Sequence, residues 1–440
     1  MKTLKQFIRI FAIIVILFNF ITCDLFNEDD INTKTGVEPL MKTQWSQCSP
    51  YNDLFPIASE GYTLPVDNAG RTLTDCSNTA LAQILYFHKH PKQGIGHSTK
   101  LLPMHSYGQI EDVFVNLEVP FDWDNILNEY PNASSGTKQQ RHAIATLMLY
   151  TAAARGASGN TYTSLVTNLK YDKSIQNHLR SIYTDTEWET LIKSQLDAGL
   201  PVFYGARYEG GNHNFVVDGY NKKCEFHINW GWGGRYDGWY TLNNLKPDAT
   251  RHFNTGHNII INIKPDAGGS GSNEFWLQNF TSSKNIIEQN ELFTVTFHLR
   301  SFGFFQGGQF GVALVDNNDN IKEVIGGMNY NFEITLGYNT GSRTINCIVF
   351  EKVSTRQYSL RVVTKVQDGE WKIAKLSTDN VPTSINFTVN ADKANGGGYG
   401  LSLMTFTASK TTVSQNETFN VSTSIVSLLT QWIKESNMPA

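Results

Sequence analysis

The sequence predicts an α+β domain followed by an all-β domain, and three observations carry that reading. From Leu40 to about Lys264 helical and strand patterns mix, with helices first and strands second. From Asn273 onward short alternating strands are separated by Gly, Asn and Asp turns. Between the two, Asp266-Ala267-Gly268-Gly269-Ser270-Gly271-Ser272 has the composition of a linker.

The helical segments expected in the first part are Ser77 to His90, stopped by Pro91; Lys138 to Ala154; and Glu187 to Ala198, stopped by Gly199 and Pro201. Strands are expected at Val202 to Tyr208, Asn214 to Tyr220, Cys224 to Trp230 and Gly238 to Leu242. The second part offers Leu292 to Leu299, Gly311 to Val315, Thr344 to Phe350, Tyr358 to Val366 and Ser384 to Val389, which suits a β-sandwich of immunoglobulin-like type. The domain boundaries that follow are 45–265, a linker at 266–273, and 274–391. An internal repeat also stands out. Phe280-Thr281-Ser282-Ser283-Lys284 and Gln289-Asn290-Glu291-Leu292-Phe293 recur as Phe406-Thr407-Ala408-Ser409-Lys410 and Gln415-Asn416-Glu417-Thr418-Phe419. The second copy, 400–440, is read as a truncated module.

At 440 residues the chain exceeds what one hydrophobic core organises, and 26 Phe, 18 Tyr and 9 Trp supply enough apolar material for packed domains. The formal charge of -4 is spread along the chain with no long basic run, which excludes nucleic acid as a partner. Lys2, Lys5 and Arg9 precede the apolar run Ile10 to Ile21, too short for a bilayer span and suited to the core of an export signal over 1–23. Cys23 follows where cleavage is expected and looks like the lipid-bearing Cys of a bacterial lipoprotein, with plain cleavage as the alternative. A surface-anchored or extracellular location is expected, and 24–44 forms a short extension. Cys48, Cys76, Cys224 and Cys347 are too sparse for a disulfide framework and include no CxxC pair, although a Cys48–Cys224 bridge stays open.

One thiol invites a chemical explanation. Cys76 stands where small residues lead into an amphipathic helix, and a helix N-terminus favours the ionised sulfur. His213 stands where the Gly210-Gly211 turn meets an apolar strand. Asn229, at the end of the Phe226-His227-Ile228-Asn229 segment, can return beside His213 across an antiparallel pair, with Trp230 shielding that contact; the alternative is that Asn-Trp-Gly-Trp-Gly-Gly only shapes a hairpin. Upstream, Gln47 offers an amide that, with the backbone N–H of Cys76, can meet a developing oxyanion.

In order, Gln47-Cys48-Ser49-Pro50-Tyr51-Asn52, Cys76-Ser77-Asn78-Thr79-Ala80-Leu81-Ala82-Gln83-Ile84, Gly210-Gly211-Asn212-His213-Asn214-Phe215-Val216-Val217-Asp218-Gly219-Tyr220 and Phe226 to Gly234 resemble the streptopain family of bacterial cysteine peptidases. The resemblance implies a papain-like fold over about Trp45 to Lys264, Cys76 as nucleophile and His213 as general base and acid. It also implies Gln47 in the oxyanion hole, Asn229 and Trp230 supporting His213, protein or peptide substrates, and no metal or organic cofactor. His88, His227 and His257 are taken as structural. Two positions depart from the family pattern. Asp75 stands where Gly is usual, and its carboxylate is expected either to raise the pKa of the thiol or to point into solvent. Asn212 is an extra residue before His213. The family's folded pro-domain would not fit in 24–44, so latency by that route is not expected. A rival reading is a catalytically silent surface protein that binds other proteins through its β-rich part; another keeps the same residues but transfers the acyl group to an amine.

Overall fold

A computed structural model of the chain describes residues 36–102, 110, 112–269, 271, 274–288, 291–334, 340–349, 356–366, 369–376, 385–390, 401–408 and 421–427. The export signal, Cys23 and most of the stretch 400–440 lie outside the described residues.

The first unit combines helices α1 (Cys76–His88), α2 (Lys138–Ser158), α3 (Thr161–Thr167) and α4 (Asp185–Asp197) with one large sheet. That sheet has the order β4 (Gln176–Leu179), β9 (Thr255–Ile261), β5 (Val202–Tyr208), β6 (Gly211–Asn221), β7 (Phe226–Asn229) and β8 (Gly238–Tyr240), with β1 (Gly36–Val37) added to β6. A small ribbon pairs β2 (His97–Ser98) with β3 (Val115–Asn116). Alternation along the central strands sends Phe203, Val216 and Ile260 to a core shared with α1 and α2. It sends Tyr204, Phe215, Val217 and Ile259 to a second core shared with Trp188 and Ile192 of α4. Covered on both faces, these strands read as near-continuous apolar runs.

Local chemistry explains the helix ends. Thr137 and Gln140 form a capping box at the start of α2, and Gly159 with φ 77° ends it. Thr184 and Glu187 form a second box before α4, so that helix begins at Asp185. The strand expected from Cys224 starts only at Phe226, because Cys224 has φ 57° and turns the chain. Cys48 is a free thiol, so no bridge joins it to Cys224.

Among the described residues the β-rich unit has two sheets. One runs β15 (Arg343–Cys347), β12 (Phe293–Ser301), β10 (Phe275–Ser282), β18 (Lys375–Leu376); the other runs β11 (Ile286–Glu288), β19 (Ile385–Asn390), β16 (Arg356–Val366), β13 (Phe305–Val315), β14 (Ile321–Ile334), with β17 (Lys372–Ile373) on β16. Phe280, Phe297 and Leu299 of the first sheet share a core with Val312, Leu314 and Val362 of the second. Beyond it, β20 (Leu401–Ala408) pairs with β21 (Val421–Ser427), and its register repeats that of β10 with β12. Phe280 opposes Phe297 as Phe406 opposes Thr423, and the bulge at Leu277/Asn279 recurs at Leu403/Thr405. The junction between the two units is bonded: the Asp172 carboxylate accepts from the N–H groups of Ala267 and Gly269, at 3.3 and 3.2 Å. The ring of His178 stacks on Phe302 with centroids 4.5 Å apart.

Candidate active site

Cys76 is the first residue of α1. Asp75 caps the helix, its carboxylate accepting from the N–H groups of Ser77 (2.7 Å) and Asn78 (3.1 Å). Its backbone sits at φ 65°, a region glycine enters freely and other residues enter at a cost of order 1 kcal/mol. The second carboxylate oxygen meets Arg155 Nη1 at 3.0 Å, with both side chains largely buried. Of the two expectations for Asp75, exposure to solvent is thus not met: the carboxylate is held between a helix N-terminus and a guanidinium. Arg155 is delivered by the last turn of α2, which runs close enough to Lys100 that only glycine fits at Gly156.

The Cys76 thiol is raised above its ordinary pKa, first by burial and then by the Asp75 charge; hydrogen bonding from the Asn214 backbone and the Arg155 charge act the other way. The Ser77 side chain also hydrogen-bonds the sulfur, and Asn214 Nδ2 lies 3.9 Å from Sγ while donating to Ser77 Oγ at 2.7 Å.

His213 is buried, and its Nε2 lies 2.8 Å from the Trp230 carbonyl. Since a carbonyl only accepts, Nε2 carries the proton and Nδ1 keeps the lone pair. The ring packs against Trp232, centroids 4.5 Å apart, with Phe253 and Trp230 at 5.8 and 6.1 Å. Arg251 in turn covers Trp232 at 4.1 Å from its centroid. Burial, with Arg251 as a lesser cause, lowers the His213 pKa to about 4 against the opposing pull of the Trp230 carbonyl. Among the described residues no hydrogen bond joins His213 to Cys76. The reason lies in strand parity. His213 shares a face of β6 with Phe215, whereas Asn214 shares the opposite face, toward α1, with Val216.

Among the described residues Asn229 makes no hydrogen bond to His213; its side chain bonds elsewhere. The β6–β7 register sets Asn229 opposite Val216, so its side chain faces α1. There Asn229, Gln83 and Thr43 close a buried loop: Thr43 Oγ1 donates to Gln83 Oε1 (2.6 Å), Gln83 Nε2 to Asn229 Oδ1 (3.1 Å), and Asn229 Nδ2 to the Thr43 carbonyl (2.6 Å). The Gly231 N–H also donates to Asn229 Oδ1 at 3.1 Å. The backbone of Trp230, not Asn229, holds the imidazole, and the Trp230 N–H is itself held by Asp237 at 2.8 Å.

The carbonyl of Gln47 accepts from the Thr74 N–H at 3.2 Å, which ties that loop to the segment leading into Cys76. Its side-chain amide makes no hydrogen bond among the described residues. His88 is half-buried, His227 pairs with Asp218 and His257 with the Tyr204 hydroxyl, and none of the three is hydrogen-bonded to the sulfur among the described residues. The residues that sequence reasoning missed are Arg155, Asn214, Gln83 and Trp232. Of these, Arg155 alone lies outside the motifs given above.

Among the described residues no group of His, Cys, Asp and Glu is placed to hold a metal, and no helix is long and apolar enough to cross a membrane.

Comparison with known proteins gives the same region an ancestry. The sequence pattern of the Peptidase C10 family matches residues 45–240. Streptopain of Streptococcus pyogenes is 29% identical over 241 residues, covering 50% of this chain and 60% of that protein. The thiol protease/hemagglutinin PrtT of Porphyromonas gingivalis is 26% identical over 244 residues, 53% of this chain and 27% of its own. The structure of active wild-type interpain A cysteine protease from Prevotella intermedia is 29% identical, covers 54% of this chain and 98% of its own, and superposes with a TM-score of 0.45. The matched stretch thus spans about three fifths of streptopain's length. Residues 45–240 thus match the Peptidase C10 family, and over that region the chain is similar to streptopain.

Proposed function

We propose that the chain hydrolyses peptide bonds in protein substrates outside the cytoplasm, with Cys76 as nucleophile and His213 as general base and acid. The observation that carries this reading is the 2.8 Å contact of His213 Nε2 with the Trp230 carbonyl. It leaves Nδ1 as the basic nitrogen, the property a proton acceptor for a thiol needs. With the thiol raised and the imidazole lowered, both groups rest uncharged near neutral pH. The imidazole Nδ1 must come to Sγ as substrate binds. The sulfur then attacks the carbonyl while its proton passes to Nδ1 and on to the leaving amine, and water releases the acyl group from the thioester. Asp75 occupies the Ser77 and Asn78 N–H groups, which leaves that of Cys76, with the uncommitted Gln47 amide, for the oxyanion.

This reading extends to a papain-like fold for 45–265, an immunoglobulin-like sandwich for 274–391, a truncated repeat at 400–440, and export with a lipid at Cys23. The test is hydrolysis of unfolded casein by the purified chain, alongside iodoacetamide labelling with the modified residue mapped. Cys76→Ala should lose both; hydrolysis that persists in that variant would overturn the assignment. The missing Cys76–His213 hydrogen bond favours one second reading, a catalytically silent binding protein. It predicts intact folding with no turnover in the parent chain.

A further inference from the structure

The imidazole of His213 is held by main chain, so whatever holds that main chain sets where the ring points. His213 Nε2 lies 2.8 Å from the Trp230 carbonyl, the oxygen of the peptide group that joins Trp230 to Gly231. A peptide group is rigid, and its carbonyl changes direction only when the whole plane turns. Gly231, at φ 70°, is a residue type that lets such a plane turn over, so its direction has to be imposed from outside.

Side chains on both flanks of Trp230 impose it. The N–H of the same plane, that of Gly231, donates to Asn229 Oδ1 at 3.1 Å, and Asn229 is itself bonded to Gln83 of α1. Thr79 of that helix closes against Gly231, where an added Cβ would meet its Cγ2 at 3.3 Å. The preceding plane carries the Trp230 N–H, which donates to Asp237 Oδ1 at 2.8 Å. With one plane tied on each side, the backbone torsions of Trp230 are fixed between them.

The hairpin places Asp237 for this contact. β8 begins at Gly238, paired with Ile228, and the Asp237 N–H donates to the Gly234 carbonyl at 3.3 Å, so the residue stands where the turn after Trp230 closes. Its surroundings are adverse for an anion. Burial raises the Asp237 carboxyl to about 6, the Trp230 N–H and His227 draw it down, and Asp218 pushes it up again. His227 Nδ1 is committed to Asp218 at 2.7 Å, and the described hydrogen bond of the Asp237 side chain is the one from Trp230. At neutral pH a half-buried carboxylate is therefore committed to a single main-chain N–H, and its charge makes that bond stronger than a neutral acceptor would.

Resting on the peptidase reading above, we propose that Asp237 is a positioning residue for the general base. Through the Trp230 backbone its carboxylate keeps the carbonyl aimed at His213 Nε2, and so keeps Nδ1 free to take the thiol proton.

Nitrogen NMR of the full chain with isotope-labelled histidine, carrying Cys76→Ala, reads the tautomer without turnover; His213→Gln assigns the signal. With Asp237 in place the proton should sit on Nε2, and Asp237→Ala should spread it over both nitrogens. In the active chain Asp237→Ala should lower kcat roughly tenfold with KM within about twofold, a misplaced group costing up to about a hundredfold. Asp237→Asn, which keeps an acceptor oxygen at the same reach, should restore the tautomer and most of kcat. Asp237→Ser, one bond too short for the contact, takes the place of Asp237→Ala should that chain not fold. A proton that stays on Nε2 in folded Asp237→Ala or Asp237→Ser would overturn the proposal, as would a loss that Asp237→Asn shares in full. Failure of the peptidase reading shows separately, as absence of casein hydrolysis by the parent chain whatever the tautomer.

Discussion

Arg155 Nη1 lies 3.0 Å from the Asp75 carboxylate, so the residue immediately before the nucleophile is a buried anion whose counter-ion comes from the far end of another helix. The pair sets the electrostatics of the thiol. Removing Arg155 strands the carboxylate and takes away a charge that favours the thiolate. Arg155→Met is expected to destabilise the chain by about 3 kcal/mol or more. It should also slow iodoacetamide labelling of Cys76 at pH 7; denaturant unfolding and labelling kinetics check the two effects.

Asp75→Gly acts in the opposite sense on the sulfur. Glycine accepts φ 65° without strain, and loss of the adjacent carboxylate lowers the thiol pKa. The pH midpoint of Cys76 labelling should move down, even though the helix cap is lost at a cost of about 1 kcal/mol. An unmoved midpoint would mean that the Asp75 charge is not felt at Sγ.

Asn229→Ala should behave as a stability variant. It leaves Gln83 Nε2 and the Gly231 N–H without their acceptor and the Thr43 carbonyl without its donor. An expected loss of roughly 2–4 kcal/mol follows from buried groups left unpaired. Thermal unfolding should register it, while KM for a peptide substrate at a permissive temperature stays within about twofold.

Trp232→Ala opens one face of the His213 ring to water. Because burial is the main cause of the depressed value, the His213 pKa should rise from about 4 toward its ordinary range. Proton NMR titration of the imidazole reads this directly, and no shift would mean that the remaining aromatics suffice to desolvate it.

Acid should weaken the fold well above the range where carboxylates titrate. His88 and His213 are held near 4 and His178 near 3 by burial, below the 6.5 of an exposed histidine. Between pH 6.5 and about 4 the unfolded chain binds more protons at these sites, so stability is fully present above pH 6.5 and falls as pH drops. The loss is on the order of 3 kcal/mol per histidine by pH 4. Asp237, raised to about 6, works against this, since its folded form takes up a proton first. Denaturant midpoints at pH 7, 6, 5 and 4 should fall in that order.

The ordered motifs around Gln47, Cys76, His213 and Asn229 were legible because each is a contiguous string whose residue types carry its chemistry. Helix α1 was legible too, since Pro91 and the apolar spacing bracket it. What escaped depended on which way a strand residue faces. Asn214 reads as a spacer between His213 and Phe215 until β6 is aligned on β5 and β7, and the same register sends Asn229 to Gln83 and away from His213. Arg155 escaped because nothing near it in sequence names its partner, Asp75. Strand β4 escaped because Gln176-Asn177-His178-Leu179 has no apolar alternation, and β9 because its apolar run is only Ile259-Ile260-Ile261, preceded by Thr255-Gly256-His257-Asn258; the sheet as a whole makes strands of them.

The segment just ahead of the Peptidase C10 match is sewn into the molecule. Gly36 and Val37 pair with β6, the N–H groups of Leu40 and Met41 bond to Asp218, and Thr43 completes the loop with Gln83 and Asn229. Any proteolytic maturation therefore has a floor. Trimming that stops before residue 36 removes none of these stitches, whereas a cut beyond Thr43 would unlace the hairpin on which Trp230 presents its carbonyl to His213.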